Sequence, residues 1–311
     1  MRFAGFLARR LGAGLLTVLA VASLCFLVIH MLPGDPVDAL LDEAAPASDR
    51  AALRRALHLD LPLYQQYAHF LGDLLFRGMG RSFTHPERTA FGEVLRVWPD
   101  TARLALSAAV IAWALAIPMA LLAATRPDTR TDAAVGVASL VGMAVPSLWI
   151  GPMLVRVFCV ELPWLPFPGP DAHGAASLIL PAITLGAGMA GILTRMGRGA
   201  LRDVLREPYI LAARAKGLSN GVVLVKHALR SAMVPLLTVG GAQLSALLGG
   251  AVVTERLFDR DGVGLLFLDA LLRRDIPVVL ACVVAVAATV VCVQLLVDLA
   301  YAAVDPRIRA Q

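Results

Sequence analysis

Lysine and histidine side chains can bind phosphate groups and metal ions, but their spacing in this chain does not match a phosphate-binding loop or a metal site. A phosphate-binding loop needs the pattern G-x-x-x-x-G-K-[ST], and the only lysines, Lys216 and Lys226, lack that glycine framework. The six histidines contain no H-x-x-x-H or comparable ligand pair. We therefore expect no catalytic residue, metal site or cofactor on this chain. A transient Ni²⁺ path along histidines that face the outside stays open as an alternative.

The ionisable groups within apolar stretches argue against ion-coupled chemistry. Arg103, Arg156 and Asp298 lie near the ends of such stretches, where a charged group can reach the membrane surface. A proton-coupled carrier would place acids or histidines near mid-membrane, and the sequence places none there.

The composition of the chain indicates which secondary-structure elements position its residues. Hydrophobic residues make up 58% of the 311 and charged residues 16%, whereas soluble domains have about 45–50% and about 25%. The mean hydropathy is +0.74. Only lipid can cover so much apolar surface, which excludes soluble enzymes, disordered chains and disulfide scaffolds. We expect an all-α membrane protein whose six transmembrane helices lie at about 11–32, 101–124, 133–158, 178–195, 233–254 and 277–301.

Basic residues are sorted by membrane side. The two termini, the loop 125–132 and the segment 195–230 hold fifteen of the 28 basic residues and only five acids. Because short basic loops stay in the cytoplasm, we expect a multi-pass protein with both termini cytoplasmic. This sorting accounts for the net charge of +5 without a nucleic-acid partner. Residues 1–32 are predicted as an uncleaved first span, since the apolar run is too long for a signal peptide.

Three regions follow from this topology. Residues 1–32 are the N-terminal cytoplasmic end and first span, 33–100 are an extracytoplasmic helical loop, and 101–311 are a five-span core with a cytoplasmic loop at 195–235. Apolar spacing from Leu53 to Leu75, broken at Pro62, predicts amphipathic helices. We expect these helices to form a cap on the external face.

The cytoplasmic loop begins with a ladder of arginines on one helix face. Arg195, Arg198, Arg202 and Arg206 are spaced by three, four and four residues. The pattern favours anchoring at anionic lipid headgroups.

A short helix is predicted directly after this ladder. Pro208 suits its first turn, and Gly217 can adopt the left-handed conformation that ends it; Ser219 can cap the next helix. A helix of about eight residues is unstable alone in water, so we expect it to dock on another protein, with a hairpin that touches only this chain as the alternative. The residues assigned to this contact are Glu207, Tyr209, Leu211, Ala212, Ala213, Arg214, Ala215, Lys216, Gly217, Leu218 and Ser219.

Small and weakly polar residues mark the fifth apolar stretch. Gly241, Gln243, Ser245 and Gly249 offer little chemistry for tight binding but leave room for a solute. We expect them to line a translocation path; close helix packing is the alternative explanation of the glycines.

The run from Tyr209 to Ser219, followed by His227-Ala228-Leu229-Arg230 and Pro235, resembles the cytoplasmic EAA loop of ABC importer permeases, in particular the peptide/nickel permease family. Other motifs of that family follow in order along the chain: Leu32-Pro33-Gly34-Asp35-Pro36, Gly80-Arg81-Ser82, Pro146-Ser147, Trp164-Leu165-Pro166, Pro181, Leu247-Leu248-Gly249-Gly250 with Glu255 and Phe258, and Asp305-Pro306-Arg307. Two positions depart from the pattern, since Leu211 stands where other importers have the motif's glutamate and Asp261 replaces a proline.

The resemblance implies the type I importer fold, a leading helix plus a five-helix core, in a bacterial cytoplasmic (inner) membrane. It implies a homologous second permease subunit, two cytoplasmic ATPase subunits that carry ATP and Mg²⁺, and an extracytoplasmic substrate-binding protein. The short helix would be the coupling helix, and peptides the substrate. Importers of nickel chelates, glutathione or other small solutes remain alternatives within the class. An ion-coupled transporter or a membrane scaffold remains an alternative outside it.

Overall fold

The computed structural model of the chain describes residues 2–31, 37, 46–56, 59–169 and 174–304. These residues are almost entirely helical apart from turns and one isolated bridge. The helices are α1 Arg2–Met31, α2 Ala47–Ala56, α3 Leu63–Phe76, α4 Ala90–Thr125, α5 Arg130–Ala144, α6 Ser147–Val155, α7 Ala176–Leu205, α8 Pro208–Ala215, α9 Arg230–Leu257, α10 Val263–Leu272 and α11 Ile276–Val304. The motifs Leu32-Pro33-Gly34-Asp35-Pro36 and Asp305-Pro306-Arg307 lie outside the described residues.

Several helical stretches in the described part of the chain are long and apolar enough to cross a membrane. They are Ala8–Met31, Ala90–Thr125, Ala176–Leu205, Asn220–Gly249 and Ile276–Ala300. Helices suit lipid because they pair their backbone polar groups internally. The fourth stretch begins before α9, since Asn220–Val222 and the π-helical Val223–Leu229 lead into it. The predicted all-helical, multi-span fold class is therefore confirmed.

The third predicted span, 133–158, is bent rather than straight. The π-helical residues Arg156–Glu161 extend α6, and the two segments Arg130–Ala144 and Ser147–Glu161 are bent by 103° relative to one another. At the bend, Val145 has φ −78° and ψ 121°, the extended backbone that a residue before proline favours because the proline ring crowds helical backbone. Pro146 is the cap residue directly before α6. Counted as one broken span, this pair is the sixth.

One compact unit combines the described residues of 1–100 and 261–291. Aromatic rings join α1 to α3 within it: Phe26 stacks on Phe70 with ring centroids 5.2 Å apart and meets Tyr67 edge-on at 5.4 Å. Helices α2 and α3 lie on either side of Pro62, as the apolar spacing predicts. Helix α3 is thus fixed to α1 by an apolar contact.

Asp275 holds a tight loop, 77–89, against the start of α11 in the same unit. Residues 78–80 all have positive φ, so the chain makes a tight turn there. The Ser82 hydroxyl donates to the Asp275 carboxylate at 2.5 Å, and the Thr84 N–H donates to the same oxygen at 3.0 Å. Asp275 is buried, and these hydrogen bonds offset the cost of removing its charge from water.

A second compact unit combines the described residues of 101–260 and 292–311, with α7 packed on α5, α6 and α9. Glycines allow the backbones to approach closely. A methyl group at Gly191 would lie 2.5 Å from the Ser139 carbonyl oxygen of α5, and one at Gly186 would lie 2.6 Å from the Ala108 carbonyl oxygen of α4. Small residues at such contacts are how helices associate in lipid.

Replacing Gly191 with alanine is expected to separate α5 from α7 and to destabilise the fold by about 1–3 kcal/mol, because the new methyl meets backbone atoms that cannot rotate away. Gly199→Ala in the same helix is the matched control, since a methyl there meets nothing within 4 Å and alanine favours a helix by about 1 kcal/mol. The measurement is the thermal unfolding temperature in detergent. Equal temperatures for Gly191→Ala and the unchanged protein would contradict this packing.

Candidate functional site

Helix α8 connects two long helices and is the centre of the candidate site. Glu207 precedes it with extended backbone, and Pro208 occupies its first turn, where the missing proline N–H costs no hydrogen bond. The helix has 8 residues, as predicted, and is about 12 Å long. A helix of this length needs packing to be stable.

Gly217 ends α8 in the way that the sequence predicts. It has φ +81°, the left-handed region that side chains disfavour. The Gly217 N–H donates to the Arg214 carbonyl at 2.9 Å, and the Leu218 N–H donates to the Ala213 carbonyl at 3.4 Å. These two bonds form the Schellman pattern, which pairs carbonyls that a helix end would otherwise leave free.

The inward face of α8 consists of Ile210, which is fully buried, and Ala213, which is 9% exposed. The buried cluster around them comes from α4, α7, α9 and the π-helical segment: Ala120, Ala124, Leu201, Val223, Ala228 and Ala232. The expectation that the Ala213 side chain contacts another protein is therefore corrected, because that side chain packs within this chain. Ile210 was not singled out from the sequence, although its spacing of three residues from Ala213 is a helical signal.

The outward face of α8 and its end carry all other residues assigned to the site. These exposed residues are Glu207, Tyr209, Leu211, Ala212, Arg214, Ala215, Lys216, Gly217, Leu218 and Ser219. Leu211 is 57% exposed and Leu218 40%. Exposed apolar side chains that lie together on a surface are typical of an interaction site.

The hydroxyl groups of Tyr209 and Ser219 differ in the hydrogen bonds that they form at the site. The Tyr209 hydroxyl lies 2.9 Å from the Ser231 hydroxyl in the first turn of α9, so it ties α8 to the next long helix. Ser219 precedes Asn220–Val222 with extended backbone, but its side chain makes no capping hydrogen bond. Ser219 therefore lies at the predicted cap position, but the predicted capping hydrogen bond is wrong.

The arginine ladder on α7 has a partner that the sequence pattern does not reveal. Asp132, which is 3% exposed, lies 2.6 Å from both Arg198 and Arg202. Arg195 and Arg206, at the two ends of the ladder, are exposed. Two of the four arginines therefore bind a carboxylate of α5 instead of extending freely to lipid headgroups. The pattern Thr129-x-x-Asp132 indicates a helix start, but it could not name the partner.

Two family comparisons bear on what this site does. Residues 3–105 match the N-terminal region of binding-protein-dependent transport system membrane components, and residues 116–310 match the binding-protein-dependent transport system inner membrane component. The chain belongs to this transport family. The family resemblance inferred from the motifs is thereby confirmed.

Individual relatives of this permease cover nearly its full length. It is 39% identical to the di/tripeptide transport system permease protein DppB of Pseudomonas aeruginosa (strain UCBPP-PA14), over 98% of this chain and 99% of that protein. It is 35% identical to the oligopeptide transport system permease protein AppB of Bacillus subtilis (strain 168), over 98% and 99%. It is 37% identical to the glutathione transport system permease protein GsiC of Escherichia coli (strain K12), over 94% and 95%.

A solved structure shares the fold. An inward-facing conformation of the MetNI methionine ABC transporter superposes with a TM-score of 0.56 at 19% identity, over 68% of this chain and 96% of that one. At this identity the likeness concerns the fold alone.

The residues expected to line the path of the permease differ in their surroundings. Gly241 packs closely, since a methyl there would overlap the Val297 side chain of α11. Gln243 is half-buried, and the Ser245 hydroxyl donates to the Gly241 carbonyl at 3.1 Å. Gly249 is exposed, and a methyl there meets nothing within 4 Å. Packing therefore explains Gly241, whereas Gly249 adjoins open space.

Replacing Gly217 with alanine is expected to strain the end of α8 by about 1 kcal/mol. Amide hydrogens of residues 213–218 should then exchange about fivefold faster, because the hydrogen bonds of the turn open more often. Gly221→Ala is the control, since a methyl there meets nothing within 4 Å and its φ is not in the left-handed region. The measurement is hydrogen–deuterium exchange, and unchanged exchange in Gly217→Ala would contradict the assigned turn.

Proposed function

We propose that this chain is the pore-forming transmembrane subunit of an ATP-binding-cassette importer for peptides. The observation that carries the proposal is α8, a short helix packed inward through Ile210 and Ala213 and exposing Tyr209, Leu211 and Leu218 outward. Family membership supports the transport role. The names of two relatives, a di/tripeptide and an oligopeptide permease, support the substrate class.

The complete importer contains partners for each face of this subunit. A homologous second permease completes the pore, two cytoplasmic ATPase subunits bind ATP and Mg²⁺, and an extracytoplasmic binding protein delivers the substrate. In this proposal both termini face the cytoplasm and α8 is the coupling helix, within the loop 195–235. The segment 33–100 contributes the external cap between the first span, 1–32, and the core, 101–311.

The mechanism is alternating access driven by the ATPases. When ATP closes the two ATPase subunits, α8 is displaced with the surface on which it docks. Ile210 packs in a buried cluster with residues of α4, α7 and α9, and Tyr209 is hydrogen-bonded to Ser231 of α9. Displacement of α8 therefore acts on the ends of three long helices at once, which shifts the population between inward-open and outward-open states.

Substrate selection rests on the external binding protein rather than on the path. Gln243, Ser245 and Gly249 offer weakly polar groups and open space, which admit a solute without binding it tightly. The glutathione permease relative makes glutathione, itself a tripeptide, the second candidate substrate.

Uptake into liposomes tests the proposed function directly. The complete complex is reconstituted with external binding protein and ATP inside, and the probes are labelled dialanine, trialanine, glutathione and a nickel–histidine chelate. We expect uptake of the alanine peptides that needs both ATP and the binding protein. Uptake driven by a proton gradient without ATP would show a secondary transporter, and no uptake of any probe would favour a scaffold.

Leu211→Lys tests the outward face of α8. An ammonium group there must be buried without a partner if the face docks on an ATPase, and it has the opposite charge to the glutamate that other importers carry at this position, so we expect at least a tenfold loss of ATPase co-purification and of stimulated ATP hydrolysis. Leu211→Met keeps the apolar volume and is expected to retain both. Membrane insertion should be equal in the two variants because Leu211 lies outside the spans. Full ATPase binding by Leu211→Lys would remove α8 as the coupling element.

A further inference from the structure

Asp132 is a buried carboxylate that two arginines of another helix hold. It is the third residue of α5, and its side chain is 4% exposed. One carboxylate oxygen lies 2.6 Å from Arg198 Nε, and the other accepts hydrogen bonds from Arg198 Nη2 at 2.8 Å and from Arg202 Nη2 at 2.6 Å. Because charge-assisted bonds of this length are strong, α5 and α7 are tied at this end.

The same carboxylate closes the loop between α4 and α5. The Asp128 N–H donates to Asp132 at 3.1 Å, and the Asp132 N–H donates to the Thr129 hydroxyl at 3.4 Å. Asp128 has φ +59°, so the loop takes a sharp turn to reach this bond. Asp132 thus has one fixed position relative to the start of α5.

Beyond the ion pair, α5 and α7 stay close along their length. The Gly191 contact with Ser139 is followed by one at Gly142, where a methyl would lie 3.0 Å from the Ala187 carbonyl oxygen. Glycine contacts resist separation but allow sliding and rotation, whereas an ion pair to two arginines fixes both. The ion pair therefore adds a directional restraint on the register of α5 and α7 at this end.

The turn of α7 that holds Asp132 also faces α8. Leu201, the residue before Arg202, is fully buried in the cluster that contains Ile210 of α8. One turn of α7 therefore touches the short helix with one face and the carboxylate of α5 with another. From α5 the chain continues through the bend at Pro146 into α6.

We propose that Asp132 is a positioning residue for energy coupling, whose bonds to Arg198 and Arg202 make α5 move with α7 when α8 is displaced. The motion of the short helix then reaches the bent α5–α6 pair and not α7 alone. This inference rests on the proposed function. Neither Arg198 nor Arg202 is assigned to lipid headgroups in it, because both guanidinium groups are held by the carboxylate.

The test compares isosteric and conservative changes in the reconstituted complex. Asp132→Asn removes the charge at constant volume, and we expect ATPase co-purification to stay while trialanine transported per ATP hydrolysed falls at least tenfold. Asp132→Glu restores a carboxylate and should recover a large part of that ratio, which a merely structural role of the side-chain volume would not explain. Asp203→Asn, an exposed carboxylate of α7, is the control and should leave the ratio unchanged.

A second arm measures the distance between the two helices in the unchanged chain and in Asp132→Asn. Spin labels at Val137 of α5 and Gly199 of α7, both exposed, report the distance between the two helices. We expect the same distance with and without bound ATP, and a shift or broadening on ATP binding in Asp132→Asn. If Asp132→Asn fails to assemble, the unchanged chain decides, since a distance that changes with ATP there overturns the proposal.

Different results would contradict the proposed function and the proposed role of Asp132. If the unchanged complex shows no ATP-dependent uptake, the proposed function fails. If the unchanged complex transports trialanine and Asp132→Asn transports as much per ATP, the function stands and only the role of Asp132 is overturned.

Discussion

Burial of Ile210 is the contact on which the candidate site depends. An eight-residue helix cannot hold its shape in water through its own hydrogen bonds, and α8 has only two inward side chains, Ile210 and Ala213. A buried isoleucine contributes about 1.5–3 kcal/mol, enough to fix one face of the helix. The opposite face of the helix, which includes Leu211, is therefore exposed. Gly217, with its positive φ, ends the helix two residues after Ala215.

Lipid imposes the second constraint, because apolar side chains gain little by leaving one apolar medium for another. Close backbone contact at Gly186 and Gly191 and polar bonds at Asp132 therefore hold the long helices together. The two kinds of contact act differently. Glycines set the distance between α5 and α7, whereas the carboxylate sets their register at the end nearest α8.

The sequence alone predicts the elements better than their contacts. Apolar length identifies the spans, and Pro208 and Gly217 identify the ends of α8 within a residue, because these are local effects of backbone chemistry. The apolar run 133–158 predicts a straight span despite Pro146, whereas the structure has a bend of 103° there. Hydropathy reports how long an apolar segment is and not whether its helix is bent. The bond from Asp132 to the arginines of α7 spans 66 and 70 residues, and a single sequence holds no signal for such a pairing.

Cysteine labelling measures directly whether α8 has one inward and one outward face. Leu211→Cys, Leu218→Cys and Ala213→Cys are each treated with a soluble maleimide, in the permease alone and in the complex with its ATPases, and the label is located by mass spectrometry. We predict that positions 211 and 218 react in the permease alone and are protected in the complex, whereas position 213 reacts in neither. Equal labelling of position 211 in both states, or ready labelling of position 213, would contradict it.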